Sequence, residues 1–320
     1  SYKEIIKDKF KITSKIKNLI ISDKQSSRIE SLSLQLLKLV KIIKKNKPDC
    51  IIAPYDREEA ITASLVGSYM NIPVAHLGAG DRTTFNIDGV IRHSVTKLAS
   101  ISFCFTKKNY QRVVRLGEEK WRVFNVGHTV VDRYQNCKEI KKQKLLKLLG
   151  FKINKEEPII LFIQHPVSNW LEKSKKHIVT SLDAINEMNL PTIIIRSNSD
   201  PGTVVFKNEI QRYKFTNKKI KYFDNLEENL FLNIVKNASV LLGNSSMGVL
   251  EAPLLNLPVV NVGLRQKDRQ NAGNITFVSH NKRAIIAAVN KSLFNKNFIK
   301  KIKNNKNPYN NSASKKIVKI

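Results

Sequence analysis

Ser239-Val-Leu-Leu242 runs directly into Gly243-Asn-Ser-Ser-Met-Gly248 and then Val249-Leu-Glu-Ala-Pro253. A short β-branched and aliphatic run meets a glycine, then three residues that favour helix N-caps, then an apolar helical start. This is a strand feeding a helix through a tight turn, the repeating joint of a parallel α/β sheet. Gly243 permits the turn, and Asn244, Ser245 and Ser246 lead into a helix whose first backbone N–H groups have no intrahelical partner. Such a helix start can hold a phosphate. Glu251, one turn further on, is placed to accept two sugar hydroxyls. An ordinary capped helix is the alternative reading of the same residues.

The pattern repeats on both sides of this joint. Downstream of residue 150, strands are expected at 158–164, 192–196, 219–223, 239–242 and 258–262, with helices between them. Upstream, residues 26–46 carry Ile29, Leu32, Leu36, Leu39, Val40 and Ile43 at helical spacing and stop before Pro48. Strands follow at 49–53, 73–77, 101–105 and 122–126, alternating with helices at 57–70, 88–99 and 107–117. A long Lys-rich helix is expected over 130–149, closed by Gly150 as its C′ residue. These elements predict an α/β fold of two Rossmann-like domains, 1–150 and 151–311, divided at 150–156. A last helix, 312–320, is expected to pack back on the first domain. Residues 2–21 are Lys-rich and irregular, with at most a short strand at 10–13 or 19–21.

A chain of 320 residues with 42% hydrophobic content fits two domains and does not read as disordered. It has no run of about 20 apolar residues, so no membrane partner is expected. The first ten residues are charged and lack an apolar signal core. Cys50, Cys104 and Cys137 are scattered and have no metal-ligand spacing, which suggests free thiols, a cytoplasmic setting and no metal site. The net charge of +30 admits a polyanion-binding surface, but the lysines are spread from end to end and lie opposite apolar helix faces. No nucleic-acid partner is therefore expected, although the charge draws in anionic substrates generally.

Ligands of open parallel sheets bind at the carboxyl ends of the strands, so the chemistry is sought there. The loop Gly263-Leu-Arg-Gln-Lys-Asp-Arg269 sets Arg265, Lys267 and Arg269 beside the Gly243 turn, and arginine can grip a phosphate bidentately. His165 ends the first strand of the second half and Arg196 ends the next; a capping role is the alternative for the histidine. The first half supplies acids and cations. Asp56 and Arg57 follow a strand in Tyr55-Asp-Arg-Glu-Glu59. Asp88, Arg92 and His93 lie in Ile87-Asp-Gly-Val-Ile-Arg-His93, with Arg92 four residues from Asp88 and able to orient it. Asp81 closes another strand-end turn. Asp88 can also be read as a helix-terminal acid favoured by the dipole.

The blocks Tyr55-Asp-Arg-Glu-Glu59, Ile87-Asp-Gly-Val-Ile-Arg-His-Ser-Val-Thr-Lys97, Arg122-Val-Phe-Asn-Val-Gly127, Gly243–Pro253 and Asn261–Arg269, in this order and spacing, resemble the UDP-N-acetylglucosamine 2-epimerases, and the last two resemble the hydrolysing branch. The resemblance covers nearly the whole chain. It implies a glycosyltransferase-B arrangement, a UDP-sugar substrate and no cofactor. It further implies conversion of UDP-N-acetylglucosamine and water to N-acetylmannosamine and UDP, feeding sialic-acid-type sugars, through elimination to a glycal and hydration. Carried over by position, Asp56 and Asp88 are the acid/base pair, and His165, Ser245, Ser246, Glu251 and Arg265 contact the nucleotide sugar. Asn244, Arg57, Arg92, His93, Arg196 and Arg269 complete the expected binding set, and a homo-oligomer is expected. Two departures stand out. Gly78 occupies a position where relatives carry Glu, and Asp81 is expected to take over part of that role. The first strand–loop–helix unit of the family has no counterpart, so an N-terminally truncated domain and a longer parent chain are expected. Readings that share the fold are a non-hydrolysing epimerase, a glycosyltransferase and a degenerate nucleotide-sugar-binding protein.

Overall fold

A computed structural model describes residues 2–24, 26–83, 87–198, 200–309 and 311–320. The chain divides into two compact units, Ser1–Gly80 with Asp88–Asn125, and Asp81–Ile87 with Val126–Ile320. No helix among the described residues is long and apolar enough to cross a membrane.

The first unit holds α1 (Tyr2–Lys7), α2 (Ser26–Asn46), β1 (Ile51–Pro54), α3 (Glu58–Tyr69), β2 (Val74–Ala79), α4 (Asp88–Leu98), β3 (Ile101–Cys104), α5 (Lys107–Arg115) and β4 (Val123–Asn125). The strands form one parallel sheet in the order β1-β2-β3-β4. Small residues let helix and sheet approach closely: Ala53, Ala60, Val74, Val95 and Ala99 make one buried cluster. The strand considered at 10–13 or 19–21 does not form. The stretch lies against α2 through polar contacts instead, with the Ile20 N–H donating to Ser31 Oγ at 2.9 Å and Asn18 Nδ2 to Gln35 Oε1 at 3.1 Å. Accordingly the most buried positions of α2 are Ser27, Ser31 and Gln35, while Ile29, expected on its apolar face, is exposed.

The second unit contains α6 (Thr129–Gln135), α7 (Lys142–Leu148), β5 (Ile160–Ile163), α8 (Ser174–Met188), β6 (Thr192–Ile195), α9 (Thr203–Arg212), β7 (Ile220–Phe223), α10 (Glu228–Asn237), β8 (Val240–Gly243), α11 (Met247–Leu250), β9 (Val259–Val262), β10 (Ile275–Val278), α12 (Lys282–Phe294), α13 (Lys296–Asn304) and α14 (Ser314–Lys319). Its parallel sheet runs β10-β9-β8-β5-β6-β7. Strand order reverses between β5 and β8, and this switch point leaves a crevice at their carboxyl ends. Both faces of β5 are buried, as its unbroken apolar run requires.

Three expectations change here. The single helix over 130–149 is two helices, because Asn233 on α10 takes the backbone groups a continuous helix would have used. Its Oδ1 accepts from the Ile140 N–H at 2.8 Å and its Nδ2 donates to the Lys138 carbonyl at 2.9 Å. Gly150 does close α7, with φ of 70°. The division falls after Asn125 rather than at 150–156, since Val130, Tyr134, Leu145, Leu146 and Leu149 pack with Leu161 and Ile163 under the second sheet. Strand β10 escaped the sequence reading; only Ile275 to Val278, behind a loop read for its cations, carries it.

The terminal helix is tied to Asp132. The carboxylate accepts from Ser312 Oγ, from the Ala313 N–H at 3.2 Å, and from the Ser314 N–H and Oγ at 3.3 and 3.0 Å, a remote cap for α14. Burial alone would raise the Asp132 pKa, but these four bonds outweigh it and hold the carboxyl below its usual range. A depressed folded pKa gives stability that is present above the ordinary carboxylate range and is lost as pH falls through the folded value. Asp132→Ala is expected to cost about 1–2 kcal/mol in urea unfolding and to open residues 312–320 to proteolysis. An unchanged digestion pattern would contradict the cap.

Candidate active site

In the second unit the site is built where β5 and β8 end. Gly243 has φ of 130°, and a Cβ there would collide with the Ile163 carbonyl on the neighbouring strand, so only glycine lets the two strands close up. Asn244 follows and is almost completely buried. Its Oδ1 accepts from the His165 N–H at 2.7 Å and its Nδ2 donates to the His165 carbonyl at 2.9 Å. Both polar ends of Asn244 are thus spent on joining the two strand ends, whereas the sequence reading offered this side chain to a ligand. Ser245 and Ser246, half-buried, form the following turn, with Ser245 Oγ accepting from the Met247 N–H at 3.4 Å.

His165 is oriented from behind. Its Nδ1 accepts from the Asn198 N–H at 3.2 Å, which leaves the proton of the neutral ring on Nε2 as a donor. The loop after β9 folds back over the same turn. Arg265 Nη1 donates to the Asn244 carbonyl at 3.3 Å and Gln266 Nε2 to the same oxygen at 2.9 Å. Arg265 Nη2 also lies 3.6 Å from Asp200 Oδ2, both side chains being buried. Arg269 is buried too, but it forms a close ion pair with Asp81 and a 3.0 Å bond to Gln266 Oε1. Asp81 additionally accepts from the Arg82 N–H at 2.8 Å. Expected as an acid and a ligand contact, Asp81 and Arg269 instead hold one another; Lys267 is exposed.

Glu251 is partly buried and accepts from the Tyr134 hydroxyl at 3.0 Å. Burial raises its pKa, and Arg133 and Tyr134 work against that rise. Arg196 is turned toward Asp224 at the end of β7, at 3.5 Å, away from the β5–β8 crevice. Asn198, like Arg196, stands at a strand end where the sequence leads one to expect a ligand contact, whereas nothing in the sequence marks Asp200, Gln266 or Tyr134 as functional. Asp200 lies shortly after the end of β6, and that position is the available signal.

In the first unit Asp56 follows β1. Arg92, buried on α4, pairs closely with Asp56 through Nη2 and donates from Nη1 to the Gly78 carbonyl at 2.7 Å. Arg92 thereby fixes Asp56, the partner the sequence did not suggest. Tyr55, just before Asp56, has φ of 64°, an uncommon conformation for a residue with a side chain. His76 secures it: Nε2 lies 2.9 Å from the Tyr55 carbonyl and Nδ1 3.1 Å from Thr96 Oγ1. Burial lowers the His76 pKa to about 3, so the ring is neutral, with Nε2–H donating to Tyr55. Gly78 has φ of 85°, and an added Cβ would meet Phe105 Cζ at 2.9 Å and Tyr55 Cδ1 at 3.1 Å. With a left-handed φ and these two rings against it, the position favours glycine over a residue with a side chain. Asp88 stands in the first turn of α4, with His93 partly buried one turn on. Arg57 precedes α3, its Nε 3.5 Å from Glu58 Oε2.

A family profile described as UDP-N-acetylglucosamine 2-epimerase matches residues 1–320. A Campylobacter jejuni protein named GDP/UDP-N,N'-diacetylbacillosamine 2-epimerase (hydrolyzing) is 35% identical over 277 residues, 86% of this chain and 71% of that protein. A Legionella pneumophila protein named UDP-N,N'-diacetylbacillosamine 2-epimerase (hydrolyzing) is 31% identical over 290 residues, 91% of this chain and 76% of the relative. In fold, the chain resembles the Neisseria meningitidis UDP-GlcNAc 2-epimerase bound to UDP-GlcNAc, with a TM-score of 0.80 and 21% identity, over 98% of this chain and 86% of the other.

Proposed function

The chain belongs to the UDP-N-acetylglucosamine 2-epimerase family, and from that premise we propose that it is a hydrolysing nucleotide-sugar 2-epimerase that converts UDP-N-acetylglucosamine and water to N-acetylmannosamine and UDP in the cytoplasm, for sialic-acid-type sugars. The observation that carries the hydrolysing assignment is that the Campylobacter and Legionella relatives, both above 30% identity, are named as hydrolyzing enzymes.

The C2 hydrogen of the sugar is not acidic in the ground state, so the C1–O bond to the diphosphate must loosen first. Its electron pair leaves with UDP. The turn at Ser245 and Ser246, the His165 Nε2–H and the Arg265 guanidinium stabilise that charge where it develops. Glu251, held by Tyr134, takes sugar hydroxyls. The C2 proton passes to a carboxylate, for which Asp88 and the Arg92-anchored Asp56 are assigned, and a C1–C2 double bond forms. Water then adds its oxygen at C1 while a proton returns to C2 from the opposite face, releasing the free sugar. Arg57 and His93 are assigned to hold the substrate.

The names of the two relatives favour a second reading, in which the sugar is N,N'-diacetylbacillosamine linked to UDP or GDP. One experiment addresses both. The protein is incubated separately with UDP-N-acetylglucosamine and with the UDP- and GDP-linked diacetylated sugar, and products are followed by proton NMR. Free N-acetylmannosamine and UDP are expected. Reaction only with the diacetylated sugar moves the assignment to the second reading. Equilibration to UDP-N-acetylmannosamine with no free sugar overturns hydrolysis.

A further inference from the structure

We propose that Asp200 is a built-in counter-charge to Arg265 that competes with the diphosphate and so sets how readily UDP departs. This rests on the reading of Arg265 as a diphosphate contact. Both side chains are buried at the β5–β8 crevice, yet Arg265 Nη2 and Asp200 Oδ2 stand 3.6 Å apart, beyond hydrogen-bond length. The carboxylate is anchored elsewhere. Its Oδ2 accepts from Asn198 Nδ2 at 2.6 Å, and Asn198 is also the residue whose N–H holds His165 Nδ1. Asp200 therefore stands beside Arg265 while its carboxylate is held by Asn198.

The arrangement has a chemical consequence. Charges a few ångströms apart in a buried crevice interact more strongly than in water. A phosphate arriving at Arg265 must share that cation with Asp200 and sit near a like charge. The nucleotide is held less tightly than Arg265, His165 and the Ser245 turn alone would hold it. In a hydrolysing enzyme that is useful, because UDP takes no part in the addition of water and release of product can limit turnover. Asp200 acts through Arg265 and is a positioning residue.

The test uses the full chain and UDP itself, with the dissociation constant measured by calorimetry and product inhibition in the turnover assay. Asp200→Asn keeps the bond to Asn198 and removes the charge; it is expected to tighten UDP about tenfold and to lower kcat as release slows. Asp200→Glu, which keeps the charge, is expected to stay near wild type. In an Arg265→Ala background the gain from Asp200→Asn is expected to vanish, as a competition for that one cation requires. A merely structural role predicts weaker UDP binding in every variant, so unchanged or weakened binding by Asp200→Asn overturns the proposal; if that variant melts early, Asp200→Ser is read by the same criterion. If Arg265→Ala itself leaves UDP affinity unchanged, the reading of Arg265 fails. If Arg265→Ala weakens UDP while neutralising Asp200 does not tighten it, only the competition fails.

Discussion

Asp81→Ala is expected to destabilise the protein by about 3–5 kcal/mol, the cost of leaving one member of a buried ion pair without its partner. The Arg269 and Asp81 side chains are 3% and 2% exposed. Removing the carboxylate strands a guanidinium where water reaches poorly. The damage spreads, because Arg269 also holds Gln266 Oε1, and Gln266 Nε2 supports the Asn244 carbonyl at 2.9 Å. Asp81→Asn is expected to cost less, since an amide oxygen still accepts from Arg269. Asp81→Leu combined with Arg269→Met is expected to recover most of the loss, as apolar pairs of similar volume often do. Urea unfolding of the four proteins checks this. A midpoint for Asp81→Ala close to wild type would show that the pair carries little, and would return Asp81 to the list of candidate acids.

The strand-to-helix joints were legible because periodicity and turn chemistry are local. The run Pro158 to Gln164, the Gly243 turn and the helix at 107–117 each announce themselves within one short stretch of sequence. What stayed hidden depends on residues far apart in sequence. Nothing near Lys138 says that Asn233, some ninety positions on, will take its backbone groups and break the helix. Nothing near Asp81 says that Arg269 will neutralise it. The site followed the same rule. Positions at strand ends are found, since topology alone puts them there. Their partners are not: helical spacing points Arg92 at Asp88, yet its guanidinium reaches Asp56 on another element. Residue type offers Asn244 to a ligand, while in the fold its amide matches the backbone pair of His165. Short-range chemistry marks where a site lies; which polar groups are already consumed is decided by long-range packing.

That distinction sets the expected outcome for the acid. Asp88 stands in the first turn of α4, and its conversion to Asn keeps shape and hydrogen-bonding capacity while removing the ability to accept a proton. Asp88→Asn is expected to lower turnover by about 10²–10⁴-fold, the usual worth of a positioned general base. UDP affinity is expected to stay near wild type, because the nucleotide contacts assigned above lie just beyond β5, in the Ser245 turn and on the Arg265 loop. Arg265→Ala is expected to behave in the opposite way, losing about 1.5–3 kcal/mol of UDP binding with the removal of one charge-assisted contact. Titrating both variants with UDP and measuring kcat and KM separates the roles. If Asp88→Asn loses UDP affinity as severely as Arg265→Ala, Asp88 is a helix-terminal acid that shapes the fold and the proton must go elsewhere, with Asp56 the next group to replace. Should Asp88→Asn turn over normally with normal affinity, the assignment of the base fails outright, while the hydrolysing reaction, judged by its products, still stands.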